Sequence, residues 1–309
     1  MKLVRFPGNP ILTPSDNWWE SRQVFNPGAA VFEDKIVLLY RAIGGDNVSR
    51  FGLATSSDGF VFKRFAEPVF EASLDNPYER LGVEDARIIK IGTEYLITYT
   101  GTSLYPATEM KAEGGWQRQA PWRVRTFLTK TTDFKTFSPE KLELDFDTKD
   151  AVLFPEKFSK GFALLHRIYP DIYLTYSYDL KSWPVGQKIL EPRKGYWDSE
   201  RVGAGPAPFR TERGWLHFYH GVDRFDSYCI GVLLHDLKDP TKILYRSPKP
   251  LLRPELPWEK QGSFPNVVFS AGAVEKDGEY FVYYGAADKV VGVATIAKKK
   301  LLSSLRFKG

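Results

Sequence analysis

IVLLY at Ile36–Tyr40, YLITY at Tyr95–Tyr99, FALLH at Phe162–His166, WLHFY at Trp215–Tyr219 and YFVYY at Tyr280–Tyr284 are five versions of one apolar run. Each ends on an aromatic residue or a histidine, and the last residues stand 59, 67, 53 and 65 apart. A period near sixty built from strand-length units is the signature of a β-propeller. The sequence therefore predicts an all-β chain, a five-bladed β-propeller with antiparallel blades around a central channel. Residues 1–309 would form a single catalytic domain.

The flanks fit that reading. A strand opening on small or polar residues precedes each run, at Gly28–Phe32, Asp85–Ile89, Asp150–Phe154, Gly205–Phe209 and Ser270–Val274. Polar turns (EDK, GTE, SKG, TERG, EKDGE) join the two, which marks hairpins. Third strands are expected at Phe51–Thr55, Arg125–Thr129, Ile172–Tyr176, Cys229–Leu233 and Val291–Thr295. In the first three units an Asp-containing turn and an aromatic then lead toward an outer strand. No helical period is sustained. Gly101–Gln119 breaks the rhythm and reads as a loop inserted over one face.

Composition bounds the function. The chain is 43% hydrophobic and 15% aromatic, enough for a large core of packed sheets. No apolar stretch approaches the ~18 residues of a membrane span, and the opening MKLVRFPGNP has no signal-peptide core. One cysteine, Cys229, forbids an internal disulfide and suits the cytoplasm. The net charge of +5 is spread along the chain except at Lys298–Lys300, which reads as a solvated tail. That is no nucleic-acid stripe, though it would help attract an anionic small substrate.

Aligning the five units places Asn26, Asp85, Asp150, Pro206 and Ser270 at the start of the first strand. Arg41, Thr100, Arg167, His220 and Gly285 fall just past the second. Antiparallel pairing brings these two sets to one end of the blades, so carboxylates and cations should gather at one mouth of the channel. Buried Arg and Asp there need partners. The densest stretch is RLGVEDAR at Arg80–Arg87, where alternation puts Asp85 and Arg87 on one face and Glu84 on the other. Tyr99, Tyr105, Trp116, Trp197, Tyr219 and Phe264 are aromatics placed to serve as sugar platforms, and Trp18–Trp19 suit a blade edge.

These segments together resemble glycoside hydrolase family 130, the mannoside phosphorylases and their hydrolytic relatives. The resemblance rests on SRFG around Arg50, GVEDARI around Asp85, KDAVLFPEK around Lys157, LLHR around Arg167, FYHG around His220 and YGAAD around Asp288. It implies an inverting attack of inorganic phosphate on a terminal β-mannose, giving α-mannose 1-phosphate. It assigns Asp85 as the sole proton donor, acting through the sugar's own 3-hydroxyl. A phosphate nucleophile needs cations rather than a general base. Lys157, Arg167, His220 and Arg50 are the candidates for holding it. Arg41, Asn26, Glu84, Tyr99, Asp150 and Asp288 are candidates for the sugar. No cofactor is expected, since phosphate is itself a substrate. The partners would be a small β-mannoside and phosphate, without nucleic acid or membrane, and with homo-oligomerisation open.

Two other readings stand beside this one. An inverting hydrolase needs a carboxylate base about 6.5–9.5 Å from the acid, for which Glu84, Asp150 and Glu156 are available. A non-catalytic glycan-binding propeller would have no use for an acid and a cation set at one mouth. The chain has no P-loop, no dinucleotide fingerprint, no nucleophile elbow, and no metalloprotease spacing around His217 and His220. The sequence leaves β-1,4 versus β-1,2 linkage and the acceptor sugar undecided.

Overall fold

The computed structural model describes residues 1–73, 75–105, 122–140, 142 and 144–305. Among them strands make up nearly all of the regular structure, with only short helices beside them. β1 (Val4–Arg5) comes first. A first unit follows as β2 (Gln23–Phe32), β3 (Lys35–Ile43), β4 (Ser49–Ser56) and β5 (Lys63–Arg64). The second is β6 (Gly82–Ile91), β7 (Glu94–Leu104), β8 (Trp122–Thr131) and β9 (Ser138–Glu140). The third is β10 (Lys149–Phe158), β11 (Gly161–Ile168), β12 (Asp171–Ser177) and β13 (Gln187–Leu190). The fourth is β14 (Arg201–Ala204), β15 (Phe209–Thr211), β16 (Gly214–Val222), β17 (Tyr228–His235) and β18 (Ile243–Arg246). The fifth is β19 (Val268–Lys276), β20 (Glu279–Ala286) and β21 (Val290–Ala297).

Each unit is an antiparallel meander, and every one of the five apolar runs is its second strand. The tight hairpins follow turn chemistry. Glu33–Asp34 and Asp277–Gly278 both have two successive left-handed residues, the twist-matched form of a two-residue β-turn. The fifth unit takes its outer strand from the other end of the chain, because β1 pairs with β21. A single parallel bridge, Ser49 to Gly82, joins the first two units into one eight-stranded sheet.

Three expectations are corrected here. The strand expected at Gly205–Phe209 is broken into β14 and β15. Pro206 and Pro208 have no N–H to give a ladder, so the chain leaves the sheet there. The lysines Lys298–Lys300 open a short helix (Lys298–Ser304) rather than a tail, with Lys299 and Lys300 exposed as a solvated run would be. Leu301 and Leu302 of that helix are buried, and Lys298 pairs with Glu275. The expected insertion at Gly101–Gln119 begins inside β7, and most of it lies outside the described residues, Trp116 included.

The aromatic that ends each run serves the fold. Tyr40 donates to Glu20 (2.7 Å), Tyr99 to Glu79 (2.9 Å), Tyr219 to Asp198 (2.7 Å) and Tyr284 to Glu259 (3.0 Å). Each carboxylate is buried and comes from the segment leading into its unit. In the third unit His166 takes the place of Tyr and meets Thr148 and the Val185 carbonyl. Buried phenols need such acceptors.

The first strands pack on one another in the order β2, β6, β10, β14, and β19 packs on β2. The fourth and fifth units meet through β16 and β17 against β19. Contact is close enough to exclude side chains. A Cβ on Gly28 would strike the Ala86 carbonyl, and one on Gly272 would strike the backbone of Pro27 and Ala29.

Candidate active site

The register of the first strand slips at the same place in four units: Phe25 to Gly28, Glu84 to Arg87, Lys149 to Val152 and Phe269 to Gly272. These are β-bulges, which turn a side chain out of alternation. Asn26, Asp85 and Asp150 sit in them with φ of 44°, 55° and 57°. Short polar side chains tolerate that left-handed backbone better than other non-glycine residues. The bulge also undoes the expected sharing of a face by Asp85 and Arg87. Asp85 bonds into the first unit, whereas Arg87 reaches the third and fourth.

Asn26, Arg41, Asp85, Lys149, Asp150, Arg167, Tyr228, Phe264, Val267, Phe269 and Asp288 line one open cavity, of about 460 Å³ with its mouth included. Seven of these are residues the sequence nominated, Phe264 among them. Asp85 is 2% exposed; Asn26 Nδ2 donates to its Oδ1 (2.9 Å), and Arg41 Nη1 stands 3.5 Å from the same oxygen. Arg41 also donates to Glu84 (2.6 Å), which lies 3.4 Å from Lys149 Nζ. Glu84 thus joins the cluster through its cations.

Asp150 is fully buried between Arg87 Nη2 and Arg167 Nη1, each at 2.9 Å. Burial pushes its carboxyl up, but the cations Arg167, Arg87 and Lys149 together outweigh that and hold it well below the usual range. His220 Nε2 is 3.5 Å from Asp150 and 3.4 Å from Arg167. Burial, with Arg167, Arg87 and Arg201 nearby, drives the imidazole down to about 3 against the pull of Asp150. His220 is therefore neutral near pH 7, a hydrogen-bonding group rather than the cation its candidacy implied. Its Nδ1 has no partner among the described residues, nor has Asn26 Oδ1. Burial raises Asp288 to about 7, with Asp85 and Glu84 adding to the rise and Arg41 and Lys149 opposing it.

Three nominated residues are not in this cluster. Lys157 lies exposed at the far end of β10, by Tyr178 and Phe162. Eight residues of strand separate it from Lys149, on the order of 25 Å, and Lys149 occupies the place expected of it. Arg50 is held by Asp46 (2.5 Å) and Glu71 (2.7 Å) over the Trp18 ring, so its charge is spent locally. Tyr99 is the core anchor described above, packed on Phe127. Among the described residues, Phe264 is the only other nominated aromatic that lines the cavity; Tyr219 is core, Trp19 is buried, and Tyr105 donates to Asp147.

Sequence reasoning missed Lys149, Arg87 and Tyr228. Lys149 had a signal, since it directly precedes a bulge aspartate. Arg87 ties three units, donating to the Asp85 carbonyl (2.9 Å), Asp150 and the carbonyls of Ala204 and Gly205. Among the described residues no group of His, Cys, Asp and Glu is arranged to hold a metal.

Asp85 and several cations share one cavity, and comparison with known proteins shows the family. The family profile described as beta-1,4-mannooligosaccharide phosphorylase matches residues 6–306. The chain belongs to glycoside hydrolase family 130. It is 40% identical to a 1,2-beta-oligomannan phosphorylase of Thermoanaerobacter sp. (strain X514) over 97% of this chain and 99% of that one. A beta-1,2-mannobiose phosphorylase of the same organism is also 40% identical, with the same coverage. The beta-1,2-mannobiose phosphorylase of Listeria innocua, solved with beta-1,2-mannobiose, superposes with a TM-score of 0.84 at 27% identity, covering 99% of both chains.

Proposed function

We propose that this family 130 member is an inverting β-mannoside phosphorylase acting on a β-1,2-linked mannooligosaccharide. The observation that carries this reading is the convergence of Asp85 with Arg41, Lys149 and Arg167 on one cavity. The β-1,2 linkage follows the relatives at 40% identity, against 27% for a β-1,4-mannooligosaccharide phosphorylase.

The serial packing of the first strands, with the fourth unit meeting the fifth through β16 and β17 against β19, supports a five-bladed propeller in one domain. Asp85 donates the proton that frees the leaving sugar, through the mannose 3-hydroxyl. Lys149 and Arg167 hold phosphate, with neutral His220 as a hydrogen-bonding neighbour. Arg41, Asn26 and Asp288 contact the terminal mannose. Asp150 positions Arg167 and His220. Fixed cations of this kind stabilise transferred negative charge without reorganisation.

An inverting hydrolase needs a free carboxylate base, and the candidates are engaged otherwise. Glu84 is paired with Arg41 and Lys149, Asp150 with two arginines, and Glu156 is exposed against Arg210. The test is product analysis on β-1,2-mannobiose. Expected is α-mannose 1-phosphate formed only with phosphate present. Free mannose released equally fast in phosphate-free buffer overturns the reading. No helix among the described residues is long and apolar enough to cross a membrane.

A further inference from the structure

A second cavity, of about 1050 Å³ with its mouth included, is lined by Lys194, Tyr196, Trp197, Glu200, Asp223 and Phe225 with their neighbours. Its walls are the loop entering β14 and the loop between β16 and β17. Both leave the sheet at the end that carries the catalytic cavity: in the ladder of the fourth unit Arg201 lies opposite Val222, and Gly203 opposite His220.

Two large rings are exposed there, Tyr196 at 51% and Phe225 at 69%. Neither is loose. The Arg193 guanidinium lies over Tyr196 at 4.6 Å and Arg224 over Phe225 at 4.7 Å. Arg193 is itself fixed by two bonds to buried Asp198. The Phe225 loop is pinned by Asp223, which accepts from the backbone N–H groups of Phe225 and Ser227. Two such rings held in the open on one surface point to a ligand.

The loop connects this surface to the catalytic cavity. Tyr228 lines the latter, and its hydroxyl accepts from Arg201 Nη2 (2.6 Å), which also pairs with Asp226 (3.4 Å). Phe225 is three residues from Tyr228, at most about 10 Å of backbone. An oligosaccharide whose terminal mannose occupies the catalytic cavity would pass this surface with its following units.

Resting on the phosphorolytic reading above, we infer that Tyr196 and Phe225 form a platform for mannose units beyond the scissile bond, so that the chain prefers oligomannosides to the disaccharide. The C–H face of a pyranose suits the negative face of an aromatic ring. Glu200, Asp223 and Lys194 supply acceptors and donors for the hydroxyls around it.

The test is the double variant Tyr196→Ala/Phe225→Ala, compared with the parent on β-1,2-mannobiose and β-1,2-mannotetraose. Expected is a fall of about tenfold in kcat/KM for the tetraose, the equivalent of 1.4 kcal/mol, through KM, with the biose unchanged. Equal values for both substrates in the parent, or an equal fall on both in the variant, overturn the platform. A binding arm needs no turnover: in an Asp85→Asn background without phosphate, the tetraose should bind more tightly than the biose, and the double substitution should abolish the difference. If the parent makes no mannose 1-phosphate from either sugar, the phosphorolytic reading falls and the binding arm still decides the platform. A double variant whose sedimentation changes without sugar, while its tetraose binding does not, marks the rings as a contact between copies and overturns the proposal.

Discussion

The two ends of β10 carry nearly the same residues and live in different worlds. Lys149–Asp150 opens the strand and Glu156–Lys157 closes it. At the opening, Asp150 is fully buried among Arg87, Arg167 and His220, and Lys149 faces Glu84. At the close, Glu156 and Lys157 are exposed, with Arg210 and a backbone carbonyl as their neighbours. Residue type does not separate them. What does is enclosure: the ladder slips at both ends of β10, but only the first slip, from Lys149 to Val152, lies where the strand enters the cavity and holds Asp150 at a φ of 57°. Charge in this molecule acquires chemical meaning where it is enclosed.

The comparison can be broken hardest at Asp85. Asp85→Asn should lower phosphorolysis by about 10²–10⁴-fold with little change in melting temperature, and an unchanged turnover number would remove Asp85 from the reaction. Next comes Asp150→Ala, which leaves Arg87 and Arg167 without their shared anion. Removing one partner of a buried pair costs about 3–5 kcal/mol, readable as a lower denaturant midpoint. The same change at Glu156 should stay within about 0.5 kcal/mol.

The two lysines give the sharpest contrast. Lys149→Ala should raise KM for phosphate by about 10- to 100-fold, the loss of one charged hydrogen bond worth roughly 1.5–3 kcal/mol. Lys157→Ala should leave it unchanged. Equal effects would mean that strand position does not decide function.

The smallest effects are in pH dependence. Asp288, raised to about 7, binds its proton more tightly folded than unfolded. Its contribution to stability is therefore full at acid pH and declines as pH rises from about 4 to 7. Asp288→Asn should remove that decline. His220, depressed to about 3, acts in the opposite sense, favouring the fold above its ordinary value and losing that contribution as pH falls toward 3. Denaturation midpoints of Asp288→Asn and His220→Gln across pH 4–8 should diverge from the parent in opposite directions.

Much of this was legible. The five runs, their hairpins, and the polar set Asn26, Asp85 and Asp150 could be read from spacing, because a repeated unit exposes its own pattern. The same repeat explains Tyr99: an aromatic that recurs at that position in the first, second, fourth and fifth units belongs to the fold, and only positions that differ between units carry chemistry. Lys157 was misread because both ends of KDAVLFPEK look alike until the fold shows which of them enters the cavity. Arg50 was misread because one of the carboxylates that capture it, Glu71, lies outside the repeating pattern. Arg87 stood in view within EDAR, but its partners come from units more than sixty residues away.

The pairing of β1 with β21 has a consequence during synthesis. A nascent chain grown only to residue 286 would hold Val4–Arg5 with nothing to zip against. The last sheet is completed by pairing Val4 with Thr295, a contact of long sequence separation and hence slow to form. Until then the growing polypeptide carries an unlatched edge, and premature termination anywhere before β21 leaves the clasp open.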